Sequence, residues 1–138
     1  MKKLMLEVIT PTGMLLRKEV DYVVVPTFDG MAGILPGHIR FMTKLTTGVL
    51  RYQVNGKEDY LAVSEGFMEV TPIKVIVLAE AAELGEDVDV EEALAEKREA
   101  ELVLHRTLAS KSSHLQAEIA LSQVVAKLEA AKKYGGSS

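Results

Sequence analysis

Glycine and proline are distributed very unevenly along this chain of 138 residues. Residues 29–48 hold four glycines and one proline, whereas residues 86–134 contain neither. In a helix interior a glycine costs roughly 1 kcal/mol relative to alanine, and a proline costs about 3 kcal/mol. Residues 29–48 are therefore predicted to form short strands broken by tight turns, and the last part of the chain, rich in Ala, Leu, Glu and Lys, is predicted to be helical.

Short strands separated by turn residues are predicted for the whole of the first part. Residues 49–54 place Leu50, Tyr52 and Val54 on one face, and Asn55-Gly56 accepts the positive φ angles of a type I′ hairpin turn. No helical segment intervenes, which predicts an antiparallel β-sandwich or barrel. Besides the glycine-rich stretch, the predicted strands are residues 4–10, 14–18, 20–26, 49–54, 57–64, 67–70 and 74–81.

Two helices joined by a short turn are predicted for the last part. The first begins at Asp87 or Asp89, either of which can cap it, and runs to about Ala109. Residues 110–113 form the turn, and the second helix covers residues 114–134. The apolar seam consists of Ala93, Ala100 and Leu104, interrupted by Lys97, and of Ala117, Leu121, Val124, Leu128 and Ala131. Because alanine buries little area, this hairpin should lean on the β part or on a partner.

The change of composition at Gly85 predicts two structural units. Residues 1–84 form an N-terminal β-sandwich domain, and residues 85–138 form an α-helical hairpin with a flexible tail. Aromatic residues make up only 5% of the chain, so the core should be aliphatic.

No residue pattern indicates a catalytic, metal or cofactor site. The histidines His38, His105 and His114 lack the spacing of metal ligands, and the chain has no cysteine. Ser64 stands in VSEGF, which is not the G-x-S-x-G of a nucleophile elbow. We therefore expect no enzyme activity and no cofactor.

The overall charge and hydropathy limit the possible partners. A net charge of −4 and a pI of about 5.4 argue against nucleic acid. No apolar run approaches the ~20 residues of a membrane helix, so no direct bilayer insertion is expected. The first residues lack the features of a secretory signal or a transit peptide. The chain is predicted to be an interaction module; the alternative is a free-standing ligand-binding or adaptor sandwich.

Basic residues gather in the later part of the predicted hairpin. Arg106, Lys111 and Lys127 are candidate contacts with an acidic partner surface. The alternative is that these charges complement the helix dipole and keep the hairpin soluble.

The run DGMAGILPGHIRFMTKLTTGVLRY closely resembles the GxLGILPGH…LLT…L…G region of the epsilon subunits of F-type ATP synthases. LAVSEGFMEVTPIKVIVLAE is similar to the later strands of that family, and Val88-Asp89 precedes an alanine- and glutamate-rich helix as it does there. The resemblance covers essentially the whole chain in order.

This resemblance implies a sandwich of about ten strands followed by a two-helix antiparallel hairpin. It implies a non-catalytic central-stalk subunit that contacts the gamma subunit and the polar loops of the c-ring, and so couples ion flow to ATP synthesis. The hairpin would extend toward the beta and alpha subunits and inhibit ATP hydrolysis. The implied location is peripheral, on the cytoplasmic face of a bacterial plasma membrane, with the stromal side of a thylakoid as the alternative.

Two positions depart from the family pattern. Some members bind ATP through an I/L-D-x-x-R-A motif; here Asp89 and Ala93 match, but Glu92 replaces the arginine. A carboxylate in place of a phosphate-binding cation predicts absent or weak ATP binding. After the PGH core, where the family commonly has proline then leucine, this chain has Ile39-Arg40-Phe41. Together with His38, these residues are predicted to be a partner interface. The alternative is that Arg40 is simply a tolerated exposed residue.

Overall fold

The computed structural model describes residues 2–106 and 110–135. Within them the chain forms ten strands, a single 3-10 turn and two helices, which confirms the predicted β-sandwich and helical hairpin. The strands are β1 Leu4–Thr10, β2 Gly13–Val20, β3 Tyr22–Thr27, β4 Gly30–Ile34, β5 Phe41–Leu45, β6 Gly48–Val54, β7 Lys57–Val63, β8 Gly66–Val70, β9 Lys74–Ala79 and β10 Ala82–Leu84. The 3-10 turn is Gly85–Asp87, and the helices are α1 Val90–Leu104 and α2 Lys111–Tyr134.

The strands form one folded sheet in the order β10-β7-β6-β3-β5-β8-β9-β1-β2, with β4 paired to β3. All ladders are antiparallel except that of β1 with β9, which is parallel. That exception could not be read from the sequence, because pairing between segments so far apart depends on the whole fold.

The core lies inside this sheet and is almost entirely aliphatic, as the composition predicted. Leu50 and Tyr52 are fully buried on the inner face of β6, and Val54 packs against the same core. Asn55 and Gly56 have φ angles of 50° and 84°, which confirms the predicted hairpin turn. Local sequence therefore fixes this hairpin and its inward face.

The helix boundaries differ from the prediction at two places. Asp89 caps α1 by accepting a hydrogen bond from Glu92 N, as predicted. The helix ends at Leu104, not near Ala109, because its last turn tightens where Arg106 N donates to Val103 O. Ala109 itself lies outside the described residues, as do residues 136–138 of the predicted tail.

The second helix begins earlier than predicted. Its N-cap is Ser110, whose hydroxyl accepts a hydrogen bond from Ser113 N, so residues 111–113 belong to the first helical turn. The segment between the two helices is therefore residues 105–110, earlier in the chain than the predicted turn of residues 110–113.

Candidate functional site

An exposed apolar row crosses the outer face of the sheet. In neighbouring strands Phe67 lies opposite Leu78, Leu78 lies opposite Ile9, and Ile9 lies opposite Met14. Residues directly opposite in adjacent strands stand side by side on one face of the sheet. Phe67 is 50% exposed and Leu78 is 46% exposed. We call these four residues the apolar row.

The next row on the same face adds two apolar groups, Met42 and the half-buried Ile76, and few free charges. Met42 is exposed and lies opposite Glu69. Farther along this row, Glu7 is buried and is held by Arg17 (Nε–Oε2, 3.1 Å) and by Lys74 (Nζ–Oε1, 3.2 Å). Because Glu7 is matched by two cations, it adds no unpaired negative charge beside the apolar row.

The predicted interface from His38 to Phe41 lies on the loop before β5. His38 and Phe41 are half-buried, and their rings pack at an interplanar angle of 53° with centroids 5.2 Å apart, whereas Ile39 and Arg40 are exposed. Gly37 N donates a hydrogen bond of 2.7 Å to Pro72 O, which ties this loop to the turn that carries Ile73. Ile39 and Ile73 are 76% and 74% exposed, so the loop and the turn together form an apolar tip.

The outer face of β6 and β7 is covered by the second helix. Ala62 of β7 is buried against Ala126 and Ala130 of α2, with Val49 and Tyr60 packed around them. The sequence seam did not include Ala126 or Ala130. The four-residue spacing of Ala126 and Ala130 places them on one face of the helix, which the sequence could have indicated. The spacing does not show that α2 buries two adjacent faces, one toward α1 and one toward the sandwich.

Gly85 is a second functional residue that sequence reasoning treated only as a boundary. It is buried, and a Cβ atom placed on it would lie 2.6 Å from Ala130 O and 3.1 Å from Tyr60 O. Only glycine lets α2 approach the end of the sandwich this closely.

The three predicted basic contacts do not lie together. Arg106 and Lys111 are exposed near the turn between the helices. Lys127 is half-buried in the second half of α2, where its Nζ lies 3.7 Å from Glu83 Oε1 and 3.9 Å from Glu96 Oε2. Lys127 thus contacts its own chain.

The groups with shifted pKa values cluster away from the apolar row and have ordinary structural causes. The Tyr22 hydroxyl donates a hydrogen bond of 2.6 Å to Glu58, which lowers the pKa of Glu58, with help from Arg51. Burial, with nearby Asp59, raises the pKa of Tyr52 to about 12. The hydrogen bond from Lys3 lowers the pKa of Asp21. Tyr22, Glu58, Arg51, Asp21 and Lys3 are hydrogen-bonded groups of the sheet surface, whereas Tyr52 lies in the core.

The structure also locates the residues of the degenerate ATP motif. Asp89 is engaged as the α1 cap, Ala93 is buried, and Glu92 lines a cavity of about 70 Å³ next to Lys127. Pockets for small ligands measure about 300–1,000 Å³. Among the described residues, no group of three or more acidic or histidine side chains could hold a metal ion.

We predict that the isolated chain binds ATP more weakly than about 1 mM, because the cavity is small and its carboxylates repel phosphate. Isothermal titration with ATP measures this. The control is Glu92→Arg, which restores the family's cation and separates the effect of charge from that of cavity size. Micromolar affinity of the unaltered chain would contradict the prediction.

Within the described part of the chain, none of the helices has the length and apolar character needed to span a membrane.

Comparison with known proteins gives one consistent result. The family described as "ATP synthase, Delta/Epsilon chain, beta-sandwich domain" matches residues 3–85. The chain is 43% identical over 127 residues to the ATP synthase epsilon chain of Nitratidesulfovibrio vulgaris, covering 92% of this chain and 94% of that one. The epsilon chain of Desulfitobacterium hafniense is also 43% identical, with 92% and 95% covered.

A solved structure is similar across both parts of the fold. A chain in the mitochondrial ATP synthase of Euglena gracilis, described as OSCP/F1/c-ring in rotational state 1, superposes with a TM-score of 0.80 at 26% identity. The superposition covers 95% of this chain and 82% of that chain.

Proposed function

Since this chain belongs to the ATP synthase delta/epsilon-chain family, we propose that it docks on the gamma subunit and on the polar loops of the c-ring. It is an epsilon-type, non-catalytic subunit of the central stalk. In the proposed role it turns with the rotor and couples ion flow to ATP synthesis. Family membership sets aside the alternative of a free-standing ligand-binding sandwich.

The observation that carries the docking proposal is the exposed apolar row on one outer face of the sandwich. A soluble monomer gains no stability from leaving Phe67, Leu78, Met14 and Met42 in contact with water. A rotor subunit must transmit torque without slipping, which requires a well-packed interface of about 800 Å² per partner. We infer that the gamma subunit covers this face.

The apolar tip forms the second part of the proposed interface. Ile39 supplies exposed apolar area beside Ile73, and Arg40 is available to carboxylates on gamma or on the c-ring loops. An exposed ion pair contributes about 1 kcal/mol or less, so Arg40 should matter less than the apolar residues. His38 supports the loop by packing against Phe41.

The hairpin is the proposed regulatory unit. We infer that residues 85–138 can leave the sandwich, residues 1–84, and extend toward the beta and alpha subunits. The buried centre of the contact with the sandwich is Ala62 against Ala126 and Ala130, with Val49 and Tyr60 packed around them. Because the central side chains are alanines, they contribute little apolar area that would be lost on release. Arg106 and Lys111 would then present positive charge to an acidic surface of the catalytic head.

The proposed location is the cytoplasmic face of a bacterial plasma membrane, held there through gamma and the c-ring. The similarity to epsilon chains of bacteria supports this location over the thylakoid.

Truncation after Leu84 tests the regulatory role. We expect ATP hydrolysis by the reconstituted complex to rise about twofold or more, because the segment that obstructs the head is gone, while coupled ATP synthesis persists. Steady-state ATPase and synthesis assays measure the two activities. The matched control is truncation after Tyr134, which keeps both helices and should change neither activity. Unchanged hydrolysis without residues 85–138 would remove the inhibitory role and leave the docking proposal intact.

A further inference from the structure

Lys127 lies where three elements of the fold meet. Its ammonium group extends from α2 toward Glu83 of β10, at 3.7 Å, and toward Glu96 of α1, at 3.9 Å. Lys127 is about one-third exposed, so it is partly shielded from water. One side chain therefore contacts the sandwich and the other helix at the same time.

The surroundings of this ammonium group are otherwise acidic. The small cavity beside it is lined by Glu83 on the sandwich side and by Asp89, Glu92 and Glu96 on the α1 side. Without Lys127, the carboxylate of Glu83 on the sandwich would face the carboxylates on the α1 side across this cavity. Like charges at such distances repel, so Lys127 both attracts each side and offsets their mutual repulsion.

The packing of the hairpin makes this position important. Helix α1 packs mainly against α2, and α2 packs against β6 and β7. The position of α1 relative to the sandwich therefore depends on α2, which contacts both. Lys127 takes part in both contacts, and weakening it should loosen both.

We propose that Lys127 is an ionic latch that couples the contact of α1 with α2 to the contact of α2 with the sandwich. Because of this coupling, the hairpin is released as one unit, and ionic strength shifts the equilibrium. Salt acts because the partners are partly exposed, and the Debye length falls from about 10 Å at 0.1 M to about 3 Å at 1 M, which is comparable with these separations of 3.7 Å and 3.9 Å. The latch deepens the proposed regulatory role of the hairpin, but it is a property of the isolated chain.

Amide hydrogen exchange on the full chain tests the latch. Lys127→Gln removes the charge and keeps an unbranched polar side chain that is one atom shorter than lysine. We expect exchange in both α1 and the second half of α2 to accelerate about fivefold at low salt, since two partly exposed ion pairs are lost together. The difference between variant and wild type should shrink at about 0.5 M salt. Lys132→Gln, an exposed lysine of the same helix, is the matched control and should change exchange little.

A charge swap separates the latch from a general loss of packing. Glu83→Lys alone and Lys127→Glu alone should each accelerate exchange, and the double variant should recover part of the protection because an opposite-charge pair is restored. The proposal would be overturned if amide exchange in the Lys127→Gln variant were as slow as in the wild type, or if exchange accelerated only in α2. Failure here is distinguishable from failure of the regulatory role, since the truncation assay on the complex does not depend on Lys127.

Discussion

Replacing Phe67 and Leu78 together with glutamate should weaken binding to the gamma subunit at least about 100-fold. Phe67 and Leu78 are neighbours in the apolar row, and a covering partner would remove both from water. Truncating a central interface residue typically costs about 2 kcal/mol or more, and burying an unpaired carboxylate costs more. Each 1.4 kcal/mol is about tenfold in affinity.

The fold itself should tolerate this double substitution. Both side chains are about half exposed and point away from the core, so their replacement leaves inner-face residues such as Met68 and Val77 in place. The two glutamates would lie directly opposite each other in β8 and β9, and a like-charge pair of this kind costs up to about 1 kcal/mol. The free energy of unfolding should fall by about that amount, which keeps the fold intact and the loss of binding interpretable.

Titration calorimetry with purified gamma subunit measures the effect. The matched control is Leu102→Glu, at a leucine of α1 that is 61% exposed, and this variant should bind gamma like the unaltered chain. Arg40→Glu should reduce affinity by only about fivefold, as expected for one exposed ion pair. If the double variant binds as tightly as wild type, gamma does not dock on this face.

Gly85→Ala should raise the equilibrium constant for release of the hairpin from the sandwich by about ten- to 100-fold. The new Cβ would lie 2.6 Å from Ala130 O and 3.1 Å from Tyr60 O, so α2 must move. Overpacking of this kind costs about 1–3 kcal/mol. The backbone of Gly85 is outside the left-handed region, so alanine itself is unstrained there. Local preference alone would favour alanine, and the predicted effect is therefore purely a tertiary one.

Limited proteolysis and amide exchange of the isolated chain measure the release of the hairpin, with exchange expected to rise in α1 and α2 while the sandwich stays protected. Gly33→Ala is the matched control, because nothing lies within 4 Å of its added Cβ and its φ is also outside the left-handed region. It should leave the hairpin docked. A Gly85→Ala chain with wild-type protection in α2 would show that the close approach at Ala130 does not hold the hairpin.

The two outer faces of the sheet explain how one small domain can serve two purposes. One face is covered by the alanines of α2, through contacts small enough to release. The other leaves Phe67 and Leu78 exposed, and it is the face that we propose the gamma subunit covers. The strength of each contact follows from the size of the side chains involved, since stabilisation scales with apolar area buried.

The amino-acid sequence by itself determined the features that depend on neighbours a few residues apart. Asn55-Gly56 predicted its hairpin turn, and Asp89 predicted the cap of α1. The alternation in β6 predicted which side chains face the core. The family resemblance also followed from sequence, and the comparisons confirmed it.

Only the tertiary structure decided which surfaces are open and which are closed. The parallel pairing of β1 with β9 aligns Ile9 with Leu78, and without it the apolar row would not be continuous. Because α2 packs on the sandwich, Gly85 lies in close contact with Ala130 O, and Lys127 lies near two carboxylates, Glu83 and Glu96. These relations join residues far apart in the chain, so local propensity and periodicity do not encode them; they arise when the sheet folds and the helix packs on it.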